Sequence, residues 1–194
     1  LFDLVVSASS IYGGSWTEGA GAVFAENQVL EFLASEAGLP KGAGGVFVQG
    51  GTLGNLSALV VARDVAEAKH GRQNWAIICS SEAHSSVKSV GKVMGVAVIS
   101  ADASKTGSLT GAAAESVIQE AKNQGLIPFA LVGTSGTTNF GIIDKLDELA
   151  DVAAINDLWF HVDGAYGLAG VLVQELKHLY LGLEKADSFI VDPH

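Results

Sequence analysis

The sequence is short of several things, and each shortage excludes something. It has one cysteine, Cys79, so no internal disulfide can form, and a reducing compartment such as the cytoplasm is expected. Three prolines among 194 residues leave no Pro-rich linker. There are two arginines, Arg63 and Arg72, and 11 Lys plus Arg face 21 Asp plus Glu, a formal net charge of −10. That balance argues against a nucleic acid or an anionic membrane as partner, because both need basic patches. No apolar run reaches the ~18 residues a membrane helix needs. The opening LFDLVVSASS has no basic region ahead of its apolar residues and does not read as a signal peptide. No repeat, low-complexity tract or charge block occurs. Walker and G-x-G-x-x-G motifs are missing, which disfavours a nucleoside triphosphate or a dinucleotide, and the absence of G-x-S-x-G rules out a serine-hydrolase elbow.

What is present is an apolar, glycine-rich chain: 48% apolar residues, 16% charged, 24 glycines and a mean hydropathy of +0.36. The pattern alternates. Residues 20–37 carry Val23, Leu30, Leu33 and Ala37 at helical spacing, with Gly38 as a stop. A short strand is expected at Val46–Val48, then a long helix opening at Thr52 and ending at Gly71. Further strands are expected at 75–79, 96–99, 129–133, 159–162 and 188–191, with helices at 85–94, 110–125 and 144–157 and a helical stretch before the last strand. Asp144 is placed as the cap of the 144–157 helix, with Leu146, Leu149 and Ala153 facing inward. Apolar strands alternating with amphipathic helices mean an α/β fold: a mostly parallel sheet with helices on both faces. Ligands in such sheets sit beyond the carboxyl ends of the strands.

Four polar segments fall there. Gln49-Gly50-Gly51-Thr52 runs into a helix, which suits either an anion held by free N–H groups or an ordinary capped turn. His84 follows the 75–79 strand in a polar turn that serves equally as a helix cap. Thr134-Ser135-Gly136-Thr137-Thr138 is a hydroxyl-rich turn. Asp163 directly follows an apolar strand, where an ionised carboxylate is costly without a partner, so it either caps the next helix or meets a cation. His161 reads as a satisfied core residue. His161 and Asp163 find no third ligand at metal-binding spacing, so no metal is expected. Taken together, the segments suit a small planar cofactor with one phosphate and one basic nitrogen.

The residues that carry this pattern are GVFVQGGTLGNLSALVVARD (45–64), SSEAHSSV (80–87), GTSGTTNFGIID (133–144), FHVDGAYG (160–167) and ADSFIVDPH (186–194). As a set they resemble the pyridoxal-phosphate-dependent amino-acid decarboxylases of group II, which include the aromatic-L-amino-acid and glutamate decarboxylases. The resemblance implies the aspartate-aminotransferase-like type I fold, with residues 1–194 as its large, pyridoxal-phosphate-binding domain, and a homodimer. It implies that His84 stacks on the pyridine ring, Asp163 pairs with the ring nitrogen, Ala165 packs on the opposite ring face and Thr138 lies near the ring. Thr52 and the backbone at Leu53 fall on the phosphate turn, and Asp192 and His194 near the phosphate. The family motif runs on from Asp-Pro-His into the lysine that binds the cofactor. None of the nine lysines here stands in that motif. The two ends are therefore expected to be interior points of a longer polypeptide, with a segment before residue 1 and a small domain after residue 194.

The activity implied is decarboxylation of an L-amino acid to its amine and carbon dioxide. Tyr12 and Trp16 are compatible with an aromatic substrate and equally with a subunit contact. The alternatives are a carbon–carbon lyase of the same fold, similar to sphingosine-phosphate lyase, and a non-catalytic fragment or pseudoenzyme, since the cofactor-binding lysine is missing from the sequence.

Overall fold

A computed structural model of the chain describes residues 2–103 and 105–192. The chain divides into two compact units, Leu1–Phe47 and Val48–His194.

The first unit holds α1 (Phe2–Ser9) and α2 (Trp16–Glu36). No residue of α1 is buried. Its Phe2, Leu4, Val5 and Val6 are all exposed. In α2, Ser15 caps the first turn by accepting the Glu18 N–H, and the helix kinks at Gly19. Val23, Leu30 and Leu33 are half-buried and Ala37 is buried, while Phe24, Val29 and Phe32 stay exposed. Gly38 ends the helix at φ 74°. The strand expected at Val46–Val48 does not form. The Phe47 N–H donates to Glu26 Oε1 at 2.7 Å instead of to a neighbouring strand, and Val46 and Phe47 are exposed.

The second unit is a five-stranded sheet in the order β2-β1-β3-β4-β5. The strands are β1 (Trp75–Ser80), β2 (Ala97–Ala101), β3 (Ile127–Thr134), β4 (Trp159–Asp163) and β5 (Ser188–Ile190), and every pairing is parallel. Helix α3 (Gly51–His70) precedes β1, α4 (Ser85–Met94), α5 (Gly111–Asn123) and α6 (Leu146–Ile155) connect the first four strands in turn, and 3-10 segments at Leu168–Leu172, Gln174–Tyr180 and Leu183–Lys185 lie between β4 and β5. Side chains alternate across a strand. Trp75, Ile77 and Cys79 of β1 meet Leu59 and Ala62 of α3 and Val87 and Val90 of α4 on one face. On the other face, Gly133 of β3 packs beneath Leu146 and Leu149 of α6. Full burial of a leucine or isoleucine is worth about 1.5–3 kcal/mol, and Leu59, Ile77, Ile78, Leu131 and Leu149 are all buried to 0% exposure.

The sheet lines up its own carboxyl edge. Thr134 is in register with Asp163, and Asp163 with Ile190. Just past that edge Gly136 adopts φ +98°, and a Cβ there would lie 2.7 Å from Gly167 Cα and 2.9 Å from Gly167 N. Both obstacles are backbone, so neither can yield by changing rotamer. Gly136→Ala is expected to lower unfolding free energy by about 1–3 kcal/mol. Urea unfolding with the wild-type midpoint would refute this.

Asp144 does not cap α6. Lys145 occupies the cap position without a side-chain bond. Asp144 is instead buried at 2% exposure, where it accepts the Leu109 N–H at 2.7 Å and the Thr134 N–H at 2.7 Å. Two otherwise unpaired amides inside the fold claim the carboxylate ahead of the solvated helix end.

Candidate functional site

Asp163 ends β4 at 5% exposure. Its Oδ2 accepts from Asn55 Nδ2 at 2.8 Å and its Oδ1 accepts from the Ala165 N–H at 3.2 Å. A carboxylate offers about four acceptor positions, so these donors leave it room for one more. Asn55 also donates from Nδ2 to Ser86 Oγ at 3.0 Å, and its Oδ1 lies 2.8 Å from His161 Nε2. Ser86 Oγ lies 2.9 Å from His84 Nδ1, and the Ser86 N–H donates to the same nitrogen at 3.2 Å. One buried asparagine therefore ties together the residues expected on two sides of the ring.

His161 is completely buried. Its Nδ1 lies 2.8 Å from Ser188 Oγ, which also accepts from Trp159 Nε1 at 2.8 Å. Burial pushes the imidazole down to about 4, with Asp163 and Ser188 opposing the shift. It is thus neutral at ordinary pH. Among the described residues no group of three His, Cys, Asp or Glu side chains is placed to hold a metal.

The start of α3 faces the same edge. Gly50, at φ 83°, stands at the cap position and has no side chain to cap the helix. The Leu53 and Gly54 N–H groups turn back onto the Gly50 carbonyl at 3.1 and 3.2 Å. The donors left for an anion belong to Gly51 and Thr52, while the Leu53 amide is engaged within the turn. A Cβ on Gly51 would meet Ala165 Cβ at 3.2 Å, Ile190 Cδ1 at 3.3 Å and Asp192 Oδ2 at 3.4 Å. The missing side chain is what keeps this space open between α3, the β4 end and the segment after β5. The side chains of Thr52 and Leu53 line a shallow cleft of about 240 Å³ that reaches Ser89 and Val93 of α4.

His84 is exposed at the cap of α4, Ala165 and Asp192 are half-buried and Thr138 is exposed in the turn after β3. His194 lies outside the described residues. The buried hydroxyls of that turn region belong to Thr134, Ser135 and Thr137. Thr137 Oγ1 accepts the Ile142 N–H at 3.2 Å, whereas Thr134 Oγ1 and Ser135 Oγ have no partner. Sequence reading missed Asn55, Ser86 and Ser188. The available signal was Asn55 itself, an amide among Leu56, Leu59 and Val60 in a helix interior, where asparagine is disfavoured.

A carboxylate with spare acceptor capacity, an uncapped helix start and unpartnered hydroxyls at one sheet edge fit a ligand with a cationic ring nitrogen and a phosphate. The comparisons agree. A Bacillus atrophaeus aromatic-L-amino-acid decarboxylase is 34% identical over 99% of this chain and 40% of its own length. The glutamate decarboxylase domain of a diaminobutyrate-pyruvate transaminase and L-2,4-diaminobutyrate decarboxylase from Vibrio parahaemolyticus superposes with a TM-score of 0.91 at 36% identity, covering 98% of this chain and 44% of that one. A structure of Oryza sativa TDC with PLP superposes with a TM-score of 0.91 at 28% identity, covering 99% of this chain and 45% of that one. The chain thus spans less than half the length of these relatives. Residues 3–194 match the family described as the pyridoxal-dependent decarboxylase conserved domain, and the chain belongs to that family.

Proposed function

We propose that the chain is the cofactor-holding core of a pyridoxal-phosphate-dependent carboxy-lyase that converts an L-amino acid, in the first instance an aromatic one, to its amine and carbon dioxide. The observation that carries the reading is Asp163, a carboxylate at 5% exposure whose donors, Asn55 and Ala165, are both uncharged. A negative charge so placed is stabilised by a cation in the same low-dielectric space.

When bound, pyridoxal phosphate supplies an electron sink for the pair left at Cα as carbon dioxide departs. Asp163 holds a proton at the ring nitrogen, which keeps that sink electron-poor. His84 and Ala165 would hold the ring between them and so orient the substrate joined to it. The Gly51 and Thr52 N–H groups hold the phosphate at the positive end of α3, with Asp192 beside Gly51, and Thr138 borders the ring. The exposed apolar face of α1 supports a homodimer. The lone, buried Cys79 supports a cytoplasmic location. No helix among the described residues is long and apolar enough to cross a membrane.

The test is to express the protein in full with pyridoxal phosphate and measure carbon dioxide release from L-tryptophan, L-tyrosine, L-2,4-diaminobutyrate and L-glutamate. Release from an aromatic substrate supports the reading. Release from diaminobutyrate alone moves the substrate to that of relatives such as the Rhizobium meliloti enzyme, 35% identical. Retention of neither cofactor nor activity overturns the reading, and cleavage without carbon dioxide favours a carbon–carbon lyase. Removing the His84 ring should cost stacking worth about 0.5–1.5 kcal/mol. His84→Ala is accordingly expected to weaken cofactor affinity about 2- to 10-fold and to lower turnover with it. Unchanged affinity and rate would remove His84 from the site.

A further inference from the structure

The hydrogen bonds around Asn55 can be given a direction, because the network begins at groups that only donate and ends at one that only accepts. The Ser86 backbone N–H points at His84 Nδ1, so that nitrogen is bare and the Ser86 hydroxyl also donates to it. Having given its one proton away, Ser86 Oγ accepts from Asn55. Asp163, a carboxylate, also accepts from Asn55. Both facts put the amide nitrogen of Asn55 on this side and its oxygen toward His161. His161 Nε2 must then carry a proton and donate it to Asn55 Oδ1. From the far end, Trp159 Nε1 donates to Ser188 Oγ, and the Ser188 hydroxyl proton is left for His161 Nδ1. Every donor and acceptor in the series is satisfied with His161 neutral. The amide stands between His161 and Asp163 and does not give up its N–H protons at ordinary pH, so the two residues share a network without passing a proton between them.

We propose that Asn55 is the positioning residue of the site: it orients the Asp163 carboxylate toward the ring nitrogen and fixes His161 as the tautomer protonated on Nε2. The proposal rests on the functional reading above. It assigns a role to an interior helix residue 108 positions away in sequence from the group it serves.

The test uses the full protein, labelled with 15N-histidine, alongside Asn55→Leu, which keeps the side-chain volume but no polar atom, and Asn55→Asp, which sets a second carboxylate against Asp163. Three quantities are read: the melting temperature without cofactor, the dissociation constant for pyridoxal phosphate, and the 15N signals that separate bare from protonated ring nitrogens. In the wild type, His161 should show a bare Nδ1 and a protonated Nε2. In variants that fold, cofactor affinity should fall about 10- to 100-fold, as for loss of a hydrogen bond to a charged group, and the His161 pattern should change. A purely structural role would lower the melting temperature and leave both other readings alone. Unchanged affinity and an unchanged His161 pattern in a folded variant overturn the proposal while the functional reading stands. A wild type that binds no pyridoxal phosphate overturns the functional reading instead. If neither variant folds, the wild-type pattern decides: His161 protonated on Nδ1 overturns the proposal, and protonated on Nε2 upholds it.

Discussion

Asp163→Ala in the full protein is expected to lower decarboxylation by about two to four orders of magnitude, because losing one partner of a buried ion pair costs roughly 3–5 kcal/mol. Part of the cofactor should remain bound, since the phosphate donors at Gly51 and Thr52 and the ring contact at His84 do not depend on the carboxylate. The substitution also leaves the Asn55 amide and the Ala165 N–H without an acceptor. Unmet donors of that kind cost about 1–3 kcal/mol each, so the melting temperature without cofactor has to be measured beside the rate. Asp163→Asn separates charge from shape. It retains an oxygen for one of the two donors and loses the negative charge, so it should be nearly as inactive as the alanine variant. An Asn variant within threefold of wild-type turnover would show that the charge is dispensable and would remove Asp163 from its role.

Asp163 was legible in the sequence because an ionisable residue directly after an apolar strand has few inexpensive explanations. The strands were legible for a related reason: WAIIC and FALVG are short and continuously apolar, as strands covered on both faces must be. His84, whose polar turn read equally as a helix cap, does cap the 85–94 helix. What could not be read was anything whose cause is distant in sequence. Val46–Val48 looked like a strand, but the partner of Phe47 is a glutamate in α2. Asp144 looked like a cap because its neighbours are helical, while its acceptor positions are taken by residues 35 and 10 positions away. His161 was read as a satisfied core residue, which it is. That it also closes the network behind Asp163 depends on Asn55, brought alongside by the packing of α3 on the sheet. Local propensity locates the edge of the sheet, and tertiary contact decides which polar groups meet there.

The same tertiary logic gives Asp144 the largest expected effect on stability. Its two oxygens satisfy the Leu109 and Thr134 N–H groups, and its own N–H donates to the Thr134 carbonyl at 2.9 Å while Lys145 donates to the Leu109 carbonyl at 3.0 Å. One residue thus clips the segment before α5 onto the end of β3. Asp144→Ala strands two buried amides and should cost about 2–6 kcal/mol, a large part of the roughly 5–15 kcal/mol that holds a domain together. Charge leaves a second, independent signature. Burial raises the Asp144 carboxyl from 3.8 to about 6, against the pull of the two amide bonds. A carboxyl raised on folding binds a proton in the native state that the unfolded chain does not hold between these values. Its contribution to stability therefore falls as pH rises through that window, and acidification from pH 7 to pH 5 adds about 1 kcal/mol at this residue. Asp144→Asn does not titrate and should lack this gain, so the stability gap between wild type and variant in urea should widen by about that amount at pH 5. A gap that stays constant with pH, or narrows on acidification, would mean that the two amide bonds outweigh burial and that Asp144 remains charged throughout.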